Sequence, residues 1–90
     1  GRRVRSLDEA RARAAASPGD LETRFALAGA AWLSGRPELA LDELLEIVRR
    51  DRTFRDDGAR RALLALFERL GHDHPAVGPA LSKLGMILFS

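Results

Sequence analysis

Two breaks written in glycine and proline, Pro18-Gly19 and Gly35-Arg36-Pro37, constrain this chain more than any other feature. Proline is excluded from a helix interior but suits the first turn, and glycine readily takes the left-handed conformation that closes a helix. Each break therefore ends one helix and starts another. The segments around them carry apolar residues at helical spacing. Leu21, Phe25, Ala28 and Trp32 fall at i, i+4, i+7 and i+11, with Asp20 placed to cap their helix and Gly35 to close it. After Pro37, the residues Ala40, Leu41, Leu44, Leu45 and Val48 form one stripe, which leaves Asp42, Glu43 and Glu46 to face water. No stretch alternates with period two and tyrosine is absent, so strands are not expected.

The rest of the chain continues the pattern. Leu7 to Ser17, "LDEARARAAAS", reads as a short helix with a weak apolar face. Beyond the connector "RRDRTFRDDGARR", Arg49 to Arg61, Asp56 or Asp57 is placed to cap a fourth helix. Its stripe is Leu63, Leu66, Phe67 and Leu70, and Gly71 closes it. "HDHP" makes the next turn, with Asp73 or His74 set before Pro75. The last helix carries Val77, Leu81, Leu84 and Leu88 on one face, and Gly78-Pro79 is expected to delay or bend its first turn. Five helices joined by short turns in 90 residues predict one small all-α domain, an antiparallel helical array.

Several function classes find no residues to carry them. With no cysteine, thiol catalysis, disulfides and thiolate metal sites are excluded from this chain, and a reducing compartment fits. His72 and His74 flank Asp73, but a structural zinc site wants about four ligands, so the pair reads as a solvated turn. There is no glycine-rich phosphate loop and no serine beside a base. The carboxylate pair Asp56-Asp57 reads as a helix cap, so neither an enzyme nor a cofactor site is expected. No apolar run approaches the roughly 20 residues of a membrane span, and "GRRVRSLDEA" lacks the apolar run of a secretory signal. Six arginines crowd into Arg49 to Arg61, yet Asp51, Asp56 and Asp57 reduce that stretch to +3, and the chain nets only +2. A nucleic-acid groove pairs charge with stacking aromatics, and only Phe54, expected to be buried, is at hand. Neither nucleic acid nor membrane is expected as a partner. Trp32 reads as a packing residue rather than a ligand platform.

The segment from Asp20 to Phe54 resembles one tetratricopeptide (TPR) unit. Leu27-Ala28, Gly35, Ala40 and Ile47-Val48 before Asp51 carry the resemblance. Two helices approach closely only where small side chains such as Ala28, Ala31 and Ala40 let them. The likeness implies a fragment of a right-handed superhelix: residues 1–19 as the partial helix of a preceding repeat, 20–54 as the TPR-like pair, and 55–90 as a C-terminal capping pair. A typical unit turns at a proline after Asp51. Here Arg52 and a longer connector let the next helix leave the regular path, with Phe54 plugging the connector into the core and Arg60 pairing with a nearby carboxylate.

The wording of the chain from about Asp20 to Ser90 is similar to the C-terminal region of the thioredoxin-fused TPR co-chaperones, the chaperedoxins. The matching residues are Leu27-Ala28, Gly35, Ala40-Leu41, Leu44-Leu45, Asp51, Asp56-Asp57, Ala59-Arg60, Phe67, Leu70-Gly71 and Leu88-Phe89. The resemblance implies a cytoplasmic stress co-chaperone with a thioredoxin-like domain N-terminal to the TPR region, which holds unfolding clients and passes them to the chaperonin. None of these 90 residues corresponds to that thioredoxin-like domain, so no redox chemistry is expected of them. The family's chaperonin contact lies in its last helix, which places the protein-contact candidates here at Lys83, Met86, Ile87, Leu88 and Phe89. Two departures bear on that helix: Gly78, Pro79, Ala80 and a lone Lys83 stand where relatives carry a Tyr-Arg-Arg or Lys-rich start, and Gly85 lowers its helix propensity. A structural cap that self-associates through exposed apolar helix ends, without chaperonin contact, is the alternative reading.

Overall fold

The computed structural model describes residues 2–89, with side chains from Leu7 to Phe89. Five helices follow one another: α1 (Arg2–Ala16), α2 (Leu21–Leu33), α3 (Pro37–Arg50), α4 (Gly58–Leu70) and α5 (Val77–Phe89). Among the described residues there is no strand.

α1 starts earlier than the Leu7 expected from its weak apolar face, where three arginines of good helix propensity extend it back to Arg2. It packs on α2 through Leu7, which joins Leu27, Ala31 and Ala40 in one buried cluster with Ala10 and Ala14 at its margin. Asp20 caps α2 as its sequence position implies: its Oδ1 accepts from the Glu22 amide at 2.9 Å. At the other end Gly35 takes φ 75°. This geometry lets the Gly35 amide donate to the Trp32 carbonyl at 3.1 Å and the Arg36 amide to the Ala31 carbonyl at 2.8 Å. Those two bonds satisfy carbonyls that a helix end otherwise leaves open.

α3 then begins at Pro37 and supplies the centre of the molecule. Ala40, Leu41, Leu44, Leu45, Ile47 and Val48 are all buried, and α2, α4 and α5 each pack against this helix. One expectation is overturned here. Glu43 does not face water: its Oε1 accepts from Arg24 Nη1 at 2.8 Å, with the two side chains only 16% and 17% exposed. Arg24, one turn into α2, covers the carboxylate that periodicity assigned to solvent.

The connector after α3 is the irregular part of the chain. Asp51 Oδ1 accepts from both the amide and the hydroxyl of Thr53, at 2.9 and 2.7 Å, and these contacts hold its carboxyl below the usual carboxylate range. Arg55, Asp56 and Asp57 follow with φ of 50°, 59° and 64°, three successive non-glycine residues in the left-handed region. Each costs about 1–2 kcal/mol relative to ordinary backbone. Asp57 does stand at the start of α4, but neither it nor Asp56 caps that helix with its side chain. In the left-handed conformation the Asp57 carboxylate meets Arg60 at 3.6 Å instead of the helix amides.

α4 buries Ala59, Leu63 and Phe67, with Leu66 and Leu70 packed at the edge of the same core. α5 buries Val77, Ala80 and Leu84. Leu81, expected on the inner face, is 44% exposed, because the buried line runs i, i+3, i+7 from Val77 and places Ala80 rather than Leu81 against the core. Gly78-Pro79 neither delays nor breaks the helix: both lie in its first turn, where the amide that proline lacks has no helical partner to lose.

A left-handed connector makes a demand on its neighbour. A Cβ at Gly58 would lie 2.7 Å from Arg55 Cβ, the rigid root of that side chain. Gly58→Ala is therefore expected to lower the urea midpoint, although glycine to alanine in a helix ordinarily gains up to about 1 kcal/mol. In an Arg55→Gly background the obstacle is gone, and the same substitution should raise the midpoint.

Candidate protein-interaction site

The last helix meets α3 along a cleft with a volume of about 410 Å³. Asp42, Leu45, Glu46 and Arg49 line it from α3, and Lys83, Met86 and Ile87 from α5. Leu45 is its buried floor, while Met86 stands 71% exposed at the rim. Glu46 is held by two guanidinium groups: Arg49 Nε donates to its Oε1 at 2.9 Å and Arg50 Nε to its Oε2 at 2.6 Å. Hydrogen bonding from Arg49, then from Arg50, lowers the Glu46 pKa to about 2. Asp42 and Lys83 are exposed, and neither forms an ion pair among the described residues.

Beyond the cleft, α5 ends in Phe89, 88% exposed. Ile87 and Leu88 turn partly inward onto the core. Arg52 Nη2 donates to the Ile87 carbonyl, which ties the connector to the final turn of α5. A second recess of about 350 Å³ lies on this side, between Val48, Arg52, Asp57 and Arg60 and the pair Leu88 and Phe89. The final turn of α5 thus has an opening on either side.

Of the five contact candidates, Lys83, Met86 and Phe89 are presented to solvent. Ile87 and Leu88 divide their surface between the core and the recesses, so Leu88, expected on the inner face, is only partly buried there. The contribution of α3 is not visible from the last helix alone. Asp42, Glu46 and Arg49 lie at i, i+4 and i+7, a charged stripe beside Leu45, and only the packing of α5 on α3 makes them the wall of a cleft.

A third hollow, of about 210 Å³, separates α2 from α4. Phe25, Gly29 and Trp32 face Ala62, Ala65 and Leu66 across a floor of Ala28 and Leu44, with no charged side chain in the lining. Trp32 is half-buried here, packing between helices.

The arginines between Arg49 and Arg61 are engaged within the fold. Arg49 and Arg50 hold Glu46, Arg52 holds the Ile87 carbonyl and Arg55 pairs with Glu22 at 2.7 Å. Arg60 pairs with Asp57, and Arg61 Nη2 donates to the Arg55 carbonyl at 3.3 Å. In the turn before α5, His74 Nδ1 accepts from the Ala76 amide at 3.0 Å. Among the described residues no three His, Cys, Asp or Glu side chains gather as a metal site, and no helix is long and apolar enough to cross a membrane.

Helices packed in succession with small residues at their crossings and recesses between neighbours define a helical-repeat domain of the kind that serves protein recognition. A family model described as tetratricopeptide repeat matches residues 2–89, which span all five helices, and the chain belongs to that family. No curated protein and no solved structure matches the chain. TPR domains are interaction modules, generally non-catalytic, that bind protein partners.

The Glu46 cluster supplies a pH test of the cleft wall. A carboxyl whose pKa falls below its ordinary 4.5 on folding stabilises the protein above that value. That contribution fades as pH drops from about 4.5 toward about 2. Glu46→Gln should remove this part of the acid dependence. The loss at neutral pH should be under about 1 kcal/mol, since Arg49 remains largely in solvent. Urea midpoints at intervals across that pH range measure it.

Proposed function

We propose that this domain is the C-terminal TPR region of a thioredoxin-fused co-chaperone, and that the end of α5 with the α3–α5 cleft is its contact for a protein partner, the chaperonin. One observation carries the choice of site: Met86 and Phe89, at 71% and 88% exposure, place two large apolar side chains in solvent on the last turns of one helix, beside open recesses. Contiguous exposed apolar surface rimmed by polar groups is a mark of protein-interaction sites. Met86 adds a flexible thioether that adapts to irregular partner surfaces. Lys83, the chain's single lysine, stands three residues before Met86 on the cleft rim.

On this reading α1 is the second helix of a preceding unit, α2–α3 the repeat, and α4–α5 a closing pair that displays the contact. The domain handles clients and chaperonin by shape and apolar burial, with the thioredoxin-like domain and the unfolded clients lying outside these residues, and it works in the cytoplasm. The second reading is a structural cap that pairs with its own copy through exposed apolar helix ends, and the exposure of Leu81 on α5, beside that of Met86 and Phe89, favours it.

Phe89→Ser and Met86→Ser separate the two. Substitution at such exposed positions should leave thermal stability within about 0.5 kcal/mol. Under the chaperonin reading, the parent protein with either change loses co-elution with the chaperonin while remaining folded. Co-elution that survives both substitutions removes α5 as the contact. A wild-type mass that grows with concentration, and is held at one copy by Leu81→Ser, supports the self-pairing cap.

A further inference from the structure

The groove between α2 and α4 has walls that barely touch each other. Both helices pack on α3, but α2 and α4 make no extensive direct contact, so their separation depends on α3 and on the connector that feeds α4. That connector passes through the left-handed run at Arg55, Asp56 and Asp57. Non-glycine residues stay in such a run only where surrounding contacts hold them there.

Across the run the Asp56 amide donates to the Thr53 carbonyl and the Gly58 amide to the Phe54 carbonyl, both at 2.9 Å. The side-chain contacts that tie the run to α2 converge on Arg55. Its Nη2 and Nε donate to Glu22 Oε1 at 2.7 and 3.2 Å, across to the first turn of α2. Its guanidinium carbon lies 5.1 Å from the centre of the Phe25 ring and 5.9 Å from that of Phe54. The two rings are themselves 5.6 Å apart and tilted by 56°. Phe25 is also a wall of the groove. One side chain thus clamps the strained connector, the start of α2 and a groove-lining ring together.

We propose that Arg55 is a latch on the α2–α4 groove: closed, it fixes Phe25 and the entry to α4, and on release the connector relaxes and the groove opens. This is independent of the contact at α5. The latch is built to be weak. Arg55 and Glu22 are 54% and 58% exposed, so salt screens their pairing, while the backbone strain on the other side of the balance is indifferent to salt. Cation–π stacking on Phe25 persists when the carboxylate is screened, so salt weakens the latch without abolishing it and the response is graded. Ionic strength, or a ligand that displaces the Phe25 ring from within the groove, would shift the same equilibrium.

Trp32 lines this groove and is the only tryptophan in the chain, so its fluorescence reports the opening directly. Quenching by the neutral probe acrylamide is measured on the 90-residue chain as sodium chloride rises, beside Glu22→Gln, which keeps the side-chain shape and removes the charge. Far-UV circular dichroism checks that helicity is retained. A latch predicts that the wild-type quenching constant rises with salt, and that Glu22→Gln starts high at low salt and loses the salt response. The open-to-closed ratio should change about 1.5- to 5-fold, the range an exposed ion pair supplies. A wild-type constant that is flat in salt overturns the proposal, and this arm decides alone if the variant loses helicity. A salt response that persists unchanged in a folded Glu22→Gln assigns the effect to other charges and overturns the latch as well.

Discussion

Everything in this molecule hangs from the closeness of α2 and α3. Ala31 and Ala40 have no exposed surface at all, and Ala28 has almost none. Small side chains at a crossing let two helix axes approach within the lower range of packing distances. Because α2 lies so near, α3 can be covered on one flank and still offer other flanks to α4 and α5. That is why a 14-residue helix buries six of its positions. Each large apolar residue among them contributes about 1.5–3 kcal/mol relative to exposure. A larger residue at Ala31 or Ala40 would push α2 away and uncover the flank of α3 that α2 seals.

A polar network fixes how that pair is set. Arg24 reaches from α2 to Glu43 on α3, and its Nη2 also donates to the Pro18 carbonyl at 3.2 Å. Arg50, from the end of α3, donates to the same carbonyl at 3.2 Å. One backbone oxygen in the turn between α1 and α2 is thereby held by both helices that follow it. The Arg24 Nε is buried without a partner, so the cluster is not optimised for stability. Its value lies in specificity: apolar stripes tolerate sliding by a turn, whereas a shielded charge pair leaves an uncompensated charge in any other register.

Helix starts and stops were legible because they rest on local chemistry: Asp20 as a cap, Gly35 as a left-handed closure and Pro37 as a first residue need only their immediate neighbours. The α3 stripe was legible because its apolar side is continuous. Features set by what a residue meets across the fold were not. Periodicity put Glu43 in water because it cannot see Arg24, 19 residues away. It put Leu81 inside because both Ala80 and Leu81 fit an apolar stripe, and only the angle at which α5 lies on α3 selects the alanine. Nor does a string of Arg, Asp and Asp announce three successive left-handed residues, since aspartate visits that region singly and glycine is its usual signal. At the candidate site the α5 half was visible as an apolar helix end. The α3 half needed the packing.

The arginine-rich joint and the exposed end of α5 are two sides of one arrangement. Six arginines within 13 residues would make a general polyanion surface if they were free. Here they close a carboxylate, three backbone carbonyls and two further acidic side chains, so the joint spends its charge on geometry. Around the α3–α5 cleft the same internal pairing absorbs Glu46 and Arg49, leaving Asp42 and Lys83 uncommitted among the charges that line it. On the proposed reading, Met86 and Phe89 provide the apolar contact, and this residual pair of opposite charges orients it. Apolar burial is non-directional and accepts many partners, whereas an unpaired carboxylate and an unpaired ammonium on one cleft reject any partner that matches them with like charge. On that reading, selectivity at this surface follows from what the arginines have already neutralised: by removing the surrounding charge from play, they leave two groups whose signs a partner would have to meet.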